Sequence, residues 1–183
     1  MAFIRKKRIK TKKGESYDYA YIVENRWLKK RKEAKQEFKA YLGRIYVFKR
    51  LKNEEFSKFH SIEDINEYVK NKDKSEIIND LIKLELYNHG FEKKKGLWVN
   101  NKISFDIGKR EYYIEENNEK VNRKIVLALN EGFLCKENIE KLMNFKISNS
   151  DEETGYKLAK AFVEAGLKVP KEVFVGIFEK VVK

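Results

Sequence analysis

The sequence predicts an α+β protein: an N-terminal antiparallel β-meander, a mixed helix and β middle section, and a C-terminal helical cap. Three observations carry this prediction. Tyr17, Tyr19, Tyr21 and Val23 recur at every second position, the period of a strand. Beyond residue 60, apolar residues recur at three- and four-residue spacing, the period of an amphipathic helix. Between the helical stretches, short β-prone pieces are separated by asparagine pairs suited to tight turns. No internal repeat or low-complexity linker interrupts the 183 residues. A division near residue 53 is expected, with 1–52 as a basic β-meander and 53–183 as an α+β and helical section packed on it.

Residues 2–9 read as the first strand, with a turn near Lys13-Gly14. The second strand runs from Ser16 to Asn25 and puts Ala20 and Ile22 on the face opposite the tyrosines. The third runs from Gln36 to Phe48, with Phe38, Ala40 and Leu42 on one face and a bulge or bend at Gly43. The link from Leu28 to Lys35 is too charged to bury and is expected as a protruding tip or short helical turn. Ser61-Ile62-Glu63-Asp64 resembles a capping box, with Ser61 as the cap of a short helix over 62–70. A longer helix spans Ser75 to His89, its core face formed by Ile77, Ile78, Leu81, Ile82 and Leu84, and Gly90 ends it. Leu97–Val99, Ile103–Phe105, Tyr112–Ile114 and Arg123–Leu129 predict a second antiparallel sheet, although 124–129 fits a helix equally well. Helices over 136–145, from Ser150-Asp151-Glu152-Glu153 to Ala165, and after Pro170 close the chain. The second of these is expected to turn Tyr156, Leu158, Phe162 and Val163 inward.

The formal net charge is +12, and its placement says more than its size. Residues 1–52 hold 18 of the 41 Lys/Arg and 5 of the 29 Asp/Glu, a net of +13; the remainder carries 23 and 24, a net of −1. A lysine-rich surface that reflects genome composition or heat tolerance raises Lys and Glu together, which describes the C-terminal part only. One-sided charge is what a polyanion-binding surface needs, because neutralised phosphates release counterions. Cys135 is the only cysteine, so no intrachain disulfide forms and a reducing cytoplasm is the expected setting. No apolar run approaches the ~18–20 residues of a membrane span, and the charged start is not followed by the apolar block of a signal peptide.

The strand Ile4-Arg5-Lys6-Lys7, the tyrosine strand with Tyr19, Tyr21, Val23 and Glu24, the basic link, and the closing Tyr41-Leu42-Gly43-Arg44 have a further implication. Together they resemble the small β-rich head of insertion-sequence transposases of the DDE class. The resemblance covers residues 1–50, less than a third of the chain. It implies a β-module that handles nucleic acid and carries over no catalytic residue.

The candidate contacts are Arg5, Lys7, Arg8, Arg26, Trp27, Lys29, Lys30, Arg31, Lys32, Lys35, Lys39 and Arg44. Their cations suit phosphates, and Trp27 is the aromatic expected to be exposed near the tip. Three alternate tyrosines ordinarily form a half-buried face under helices; as a stacking platform they would contribute ~1–3 kcal/mol per unpaired base. Full burial of all three would leave only the cationic contact. The helix pair at 62–89 followed by a hairpin has the order of a winged helix, but Glu76, Asp80 and Glu85 would repel phosphates, so the longer helix reads as structural. Glu85, Asp106 and Glu115 loosely suit a metal-dependent nuclease, without a lysine at the expected spacing. His60, His89 and Cys135 alone cannot supply a four-ligand zinc site; both histidines are expected at the surface and Cys135 in the core. No phosphate-binding loop, dinucleotide fingerprint or nucleophile elbow is present.

The sequence therefore points to a non-catalytic, cofactor-free nucleic-acid-binding protein, RNA preferred over DNA, acting with the ribosome or in RNA processing. A DNA-binding relative of a transposase module and a metal-dependent nuclease are the alternatives. A protein partner, a ribosomal particle or a second copy is expected at the C-terminal helices if Leu167, Val169, Val173, Phe174, Ile177 and Phe178 leave an apolar patch open.

Overall fold

The computed structural model describes residues 2–28, 32–148 and 150–182. The chain begins with three long antiparallel strands, β1 (Ala2–Lys10), β2 (Ser16–Leu28) and β3 (Glu33–Val47). Gly14, with φ +87°, supports the first turn. Within the charged link expected over 28–35, Leu28 and residues 33–35 are strand, with β2 and β3 paired out to Leu28 opposite Glu33; residues 29–31 lie outside the described residues. Because β1 ends opposite Glu24, the outer part of β2 and β3 is a two-stranded ribbon.

The first sheet is completed from far along the chain. The strand β9 (Ile125–Leu129) runs parallel to β3, and β10 (Gly132–Leu134) pairs antiparallel with β9, giving the order β1-β2-β3-β9-β10. Residues 125–129 were expected in the second sheet or in a helix. They form an interior strand instead because they are apolar on both sides: Ile125, Leu127 and Leu129 enter the main core and Val126 a smaller one. A strand buried on both faces reads as a continuous apolar run, which gives no period.

Between β3 and β9 lie three helices and the second sheet. The helices are α1 (Phe56–Phe59), α2 (Ile65–Asn71) and α3 (Lys74–Asn88). The cap of α2 is Asp64, not Ser61: its carboxylate accepts from the Asn66 and Glu67 amides at 2.8 and 3.1 Å. α3 is the central helix, with Ile77, Ile78, Leu81, Ile82 and Leu86 fully buried. Of the three carboxylates expected to repel phosphates from this helix, Asp80 and Glu85 are buried and only Glu76 is exposed, so it is burial that makes the helix structural. The second sheet is an antiparallel meander, β4 (Glu92–Lys94), β5 (Leu97–Asn100), β6 (Ile103–Asp106), β7 (Glu111–Glu116) and β8 (Glu119–Asn122). Asn101, Asn117 and Asn118 take positive φ at its turns, the role their side chains tolerate. Phe105 and Tyr112 stack at 4.3 Å in the main core.

Three helices close the fold: α4 (Lys136–Met143), α5 (Asp151–Glu164) and α6 (Lys171–Val182). Ser150 caps α5 by accepting from the Glu153 amide at 3.2 Å. The inward stripe of α5 is Thr154, Leu158, Ala161 and Phe162, so Tyr156 and Val163 face outward instead of inward. On α6, Val173 and Ile177 are buried, and Leu167 just before it is buried too; Val169, Phe174 and Phe178 pack against the same core. These six residues are therefore core and not an open patch. Among the described residues no helix is long and apolar enough to cross a membrane.

Glu85 ties the pieces together. Fully buried on α3, it accepts from Arg50 at 2.7 Å, Asn130 at 3.0 Å and the Lys168 amide at 3.2 Å. It thus joins the segment that follows β3, the β9–β10 turn and the α5–α6 loop. The histidines are not at the surface as expected. His89 is buried, its Nδ1 2.7 Å from the Glu85 carbonyl oxygen, and His60 is half-buried between Phe56 and Phe59.

Two outcomes follow for stability. Gly43 sits at φ +131°, and a Cβ there would lie 2.1 Å from the Lys124 carbonyl oxygen of the segment entering β9. Gly43→Ala should cost at least ~1–3 kcal/mol in urea unfolding; an unchanged midpoint contradicts this. Burial lowers the pKa of both His60 and His89 from the ordinary 6.5. The unfolded chain then binds protons that the folded chain resists, so stability is retained above pH 6.5 and lost as the pH falls below it. Between pH 7 and 5 the unfolding free energy from urea titration should fall, by at most ~1.4 kcal/mol per pH unit per histidine; a flat profile contradicts this.

Candidate nucleic-acid interface

In β2, simple alternation places Tyr17, Tyr19, Tyr21, Val23, Asn25 and Trp27 on one face. In β3 alternation fails twice. The pairing slips between Ala20/Tyr21 and between Ile22/Val23, which leaves Leu42 and Lys39 as extra residues on the longer strand. Each extra residue reverses which face the following side chains meet. Phe38, Tyr41 and Arg44 consequently all join the tyrosine face, while Ala40 and Leu42 turn to the other. This corrects the expectation that Phe38, Ala40 and Leu42 share a face. The Gly43 bulge was visible in the sequence; the second, at Lys39, had no glycine to mark it.

The two faces then differ sharply. Ala20, Leu42, Ile45, Val126 and Cys135 form the smaller hydrophobic cluster, with Ile4 and Ile22 against it. Burial pushes the Cys135 thiol up to about 12. On the opposite face Tyr17, Tyr19 and Tyr21 are half-buried and belong to neither cluster. They are covered chiefly by one another's neighbours: Tyr21 lies 5.4 Å from Tyr41 and 5.9 Å from Phe38, and Tyr19 lies 6.2 Å from Tyr41. Phe38 and Trp27 are each 61% exposed and Tyr41 is 37% exposed. The tyrosine row is thus not a core face lying under helices. It is an aromatic surface extended by residues of β3 that periodicity did not assign to it.

The candidate cations separate by position. Arg5 and Lys7 sit opposite Tyr21 and Tyr19, so they edge the aromatic face. Arg5 reaches over β2 to hydrogen-bond the Gln36 carboxamide oxygen. Arg44 lies 3.6 Å over the Tyr17 ring and 4.9 Å from that of Tyr46. Arg8 belongs to the other face: with Lys6 it grips Asp18 at 2.9 and 2.8 Å and holds that carboxyl well below the usual carboxylate range. Lys39, at its bulge, is engaged by Glu37 at 2.8 Å and Glu24 at 3.3 Å, and these contacts raise its pKa. Arg26 and Lys35 face each other on the two-stranded ribbon, both exposed, and exposed Lys32 starts its return at φ +49°. Lys29, Lys30 and Arg31 lie outside the described residues.

The carboxylates do not assemble. Glu85 is committed to its buried network, Asp106 accepts from the Lys109 amide at 3.0 Å in a turn, and Glu115 lies opposite Lys120. Among the described residues no group of three or more His, Cys, Asp or Glu side chains is arranged to hold a metal ion.

The two faces should respond differently to truncation. Trp27→Ser on the aromatic face should change stability by no more than ~0.5 kcal/mol. Leu42→Ala, whose side chain is 3% exposed on the other face, should cost ~2–5 kcal/mol. Equal losses in urea unfolding would mean that both faces are covered. No protein-family model, curated protein or solved structure matches the chain.

Proposed function

We propose that the protein binds nucleic acid without catalysing a reaction on it, prefers RNA, and uses the aromatic face of β1–β3. One observation carries the reading. Tyr19, Tyr21, Phe38 and Tyr41 lie side by side on an uncovered sheet surface edged by Arg5 and Lys7. Aromatic rings on a sheet offer stacking platforms to unpaired bases, and flanking cations meet the backbone that joins those bases. Single-stranded loops and bulges in RNA supply such bases, which favours RNA over duplex DNA. The confinement of the positive excess to residues 1–52 supports the same surface on electrostatic grounds. A cytoplasmic role with the ribosome or in RNA processing fits a cofactor-free binding protein of this kind.

A second reading has its own support. The β2–β3 ribbon extends past β1 as two strands, and its exposed pair Arg26 and Lys35 is cationic. A two-stranded ribbon fits the major groove of B-DNA, which suits a DNA-binding relative of a transposase module.

Competition binding with single-stranded RNA, structured RNA, single-stranded DNA and duplex DNA separates these readings. RNA should compete best; duplex DNA competing best favours the ribbon. Arg5→Ala with Lys7→Ala should flatten the slope of log affinity against log salt by about 1.4 for single strands. Tyr21→Ala should weaken binding ~5- to 150-fold at unchanged slope. Failure of every nucleic acid to bind would overturn the proposal.

A further inference from the structure

On the aromatic face lies an open pocket of about 320 Å³, lined by Arg5, Lys7, Tyr21, Val23, Gln36 and Phe38. We propose that this pocket receives a single unpaired guanine base, read by Arg5 and positioned by Gln36. The inference rests on the nucleic-acid reading above and adds a base identity to it.

The size is at the lower end of the ~300–1,000 Å³ of ligand pockets, which suits one planar base rather than a longer segment. The walls are right for a base. The Tyr21 and Phe38 rings stand at 63° to each other with centroids 5.9 Å apart, and Phe38 is largely exposed, so one ring face is open to stacking. Val23, 6% exposed, closes the apolar floor.

The rim selects the base. The Gln36 carboxamide oxygen already accepts from Arg5, and its nitrogen donates to Asn25 Oδ1 at 3.3 Å. This brace runs from β1 across β2 to β3 and holds the guanidinium over the sheet. A guanidinium has five N–H donors and no acceptor, and the Lys7 ammonium likewise only donates. With the Gln36 oxygen engaged, the charged and amide groups at the rim present donors. Among the bases, guanine offers two acceptors, O6 and N7, on one edge, and an arginine fork matches them bidentately. Adenine places a donor beside its N7, and cytosine places its N4 donor on the corresponding edge. Lys7, a point charge, suits the adjoining phosphate.

The test uses the full chain and labelled oligouridines that carry one central guanosine, adenosine or cytidine or none, followed by fluorescence anisotropy. The guanosine oligomer should bind about 5- to 150-fold more tightly than the others. 7-Deazaguanosine, which lacks the N7 acceptor, should lose most of that preference. Arg5→Lys keeps the charge and removes the fork, so it should bring the guanosine oligomer down to the affinity of the all-uridine oligomer without flattening the salt slope. Gln36→Leu should reduce the preference in the same way, as expected of a positioning residue. Equal binding of all four oligomers, or a preference that survives Arg5→Lys, overturns the guanine pocket and leaves the wider interface standing. No binding of any oligomer overturns both.

Discussion

The three N-terminal strands join the rest of their sheet through one parallel strand pair, β3 with β9, and that pair depends on a missing side chain. At Gly43 the backbone takes φ +131° and passes so close to Lys124 that a Cβ would overlap its carbonyl oxygen. The neighbouring Arg44 amide donates to that same oxygen at 3.3 Å, and the ladder then runs from Arg44 opposite Ile125 to Val47 opposite Ala128. Glycine is the residue that accepts this conformation and this approach together. Through this ladder a cationic three-stranded sheet becomes continuous with a strand buried on both faces. The exposed surface is therefore continuous, strand to strand, with the buried core.

That continuity sets what each face does. Nearest β9, Tyr46 packs against the main core on the same face as the tyrosines. Further out the core ends, and the face carries Tyr17, Tyr19, Tyr21, Tyr41 and Phe38 with no hydrophobic cluster upon it. Bulges increase twist and re-aim side chains, and here two of them gather aromatic residues from β3 beside those of β2. The cost of leaving such rings half in water is borne by the cluster on the opposite face and by the long ladders of β1, β2 and β3. Arginine stacking on Tyr17 and the Arg5–Gln36 bridge tie side chains of this face to one another, which would limit the entropy lost in the proposed binding.

Much of this was legible in the sequence. The α+β class, the N-terminal meander, the central helix with its glycine stop, the asparagine turns and the exposure of Trp27 all follow from local signals: period, caps and turn chemistry. Other features were misplaced for identifiable reasons. Ser61 and Asp64 both have capping side chains, and only the backbone path selects Asp64. Tyr156 and Val163 are apolar enough for a helix interior, but the packing stripe of α5 passes through Thr154 and Ala161 instead. His60 and His89 stand at helix ends, where exposure is the default, yet aromatic and α3 contacts bury them.

By itself, the sequence determined the strand and helix periods, the segregation of charge into residues 1–52 and the alternation that aligns Tyr17, Tyr19 and Tyr21, because these depend on the order of residues along the chain. Only the tertiary structure decided which face of the sheet is core, that β9 crosses to pair with β3, and that Phe38, Tyr41, Arg5 and Gln36 meet around Tyr21. A bulge without a glycine leaves no local mark, an apolar run buried on both sides has no period, and contacts between residues thirty apart are settled by register. The proposed binding surface is legible only once those three are known.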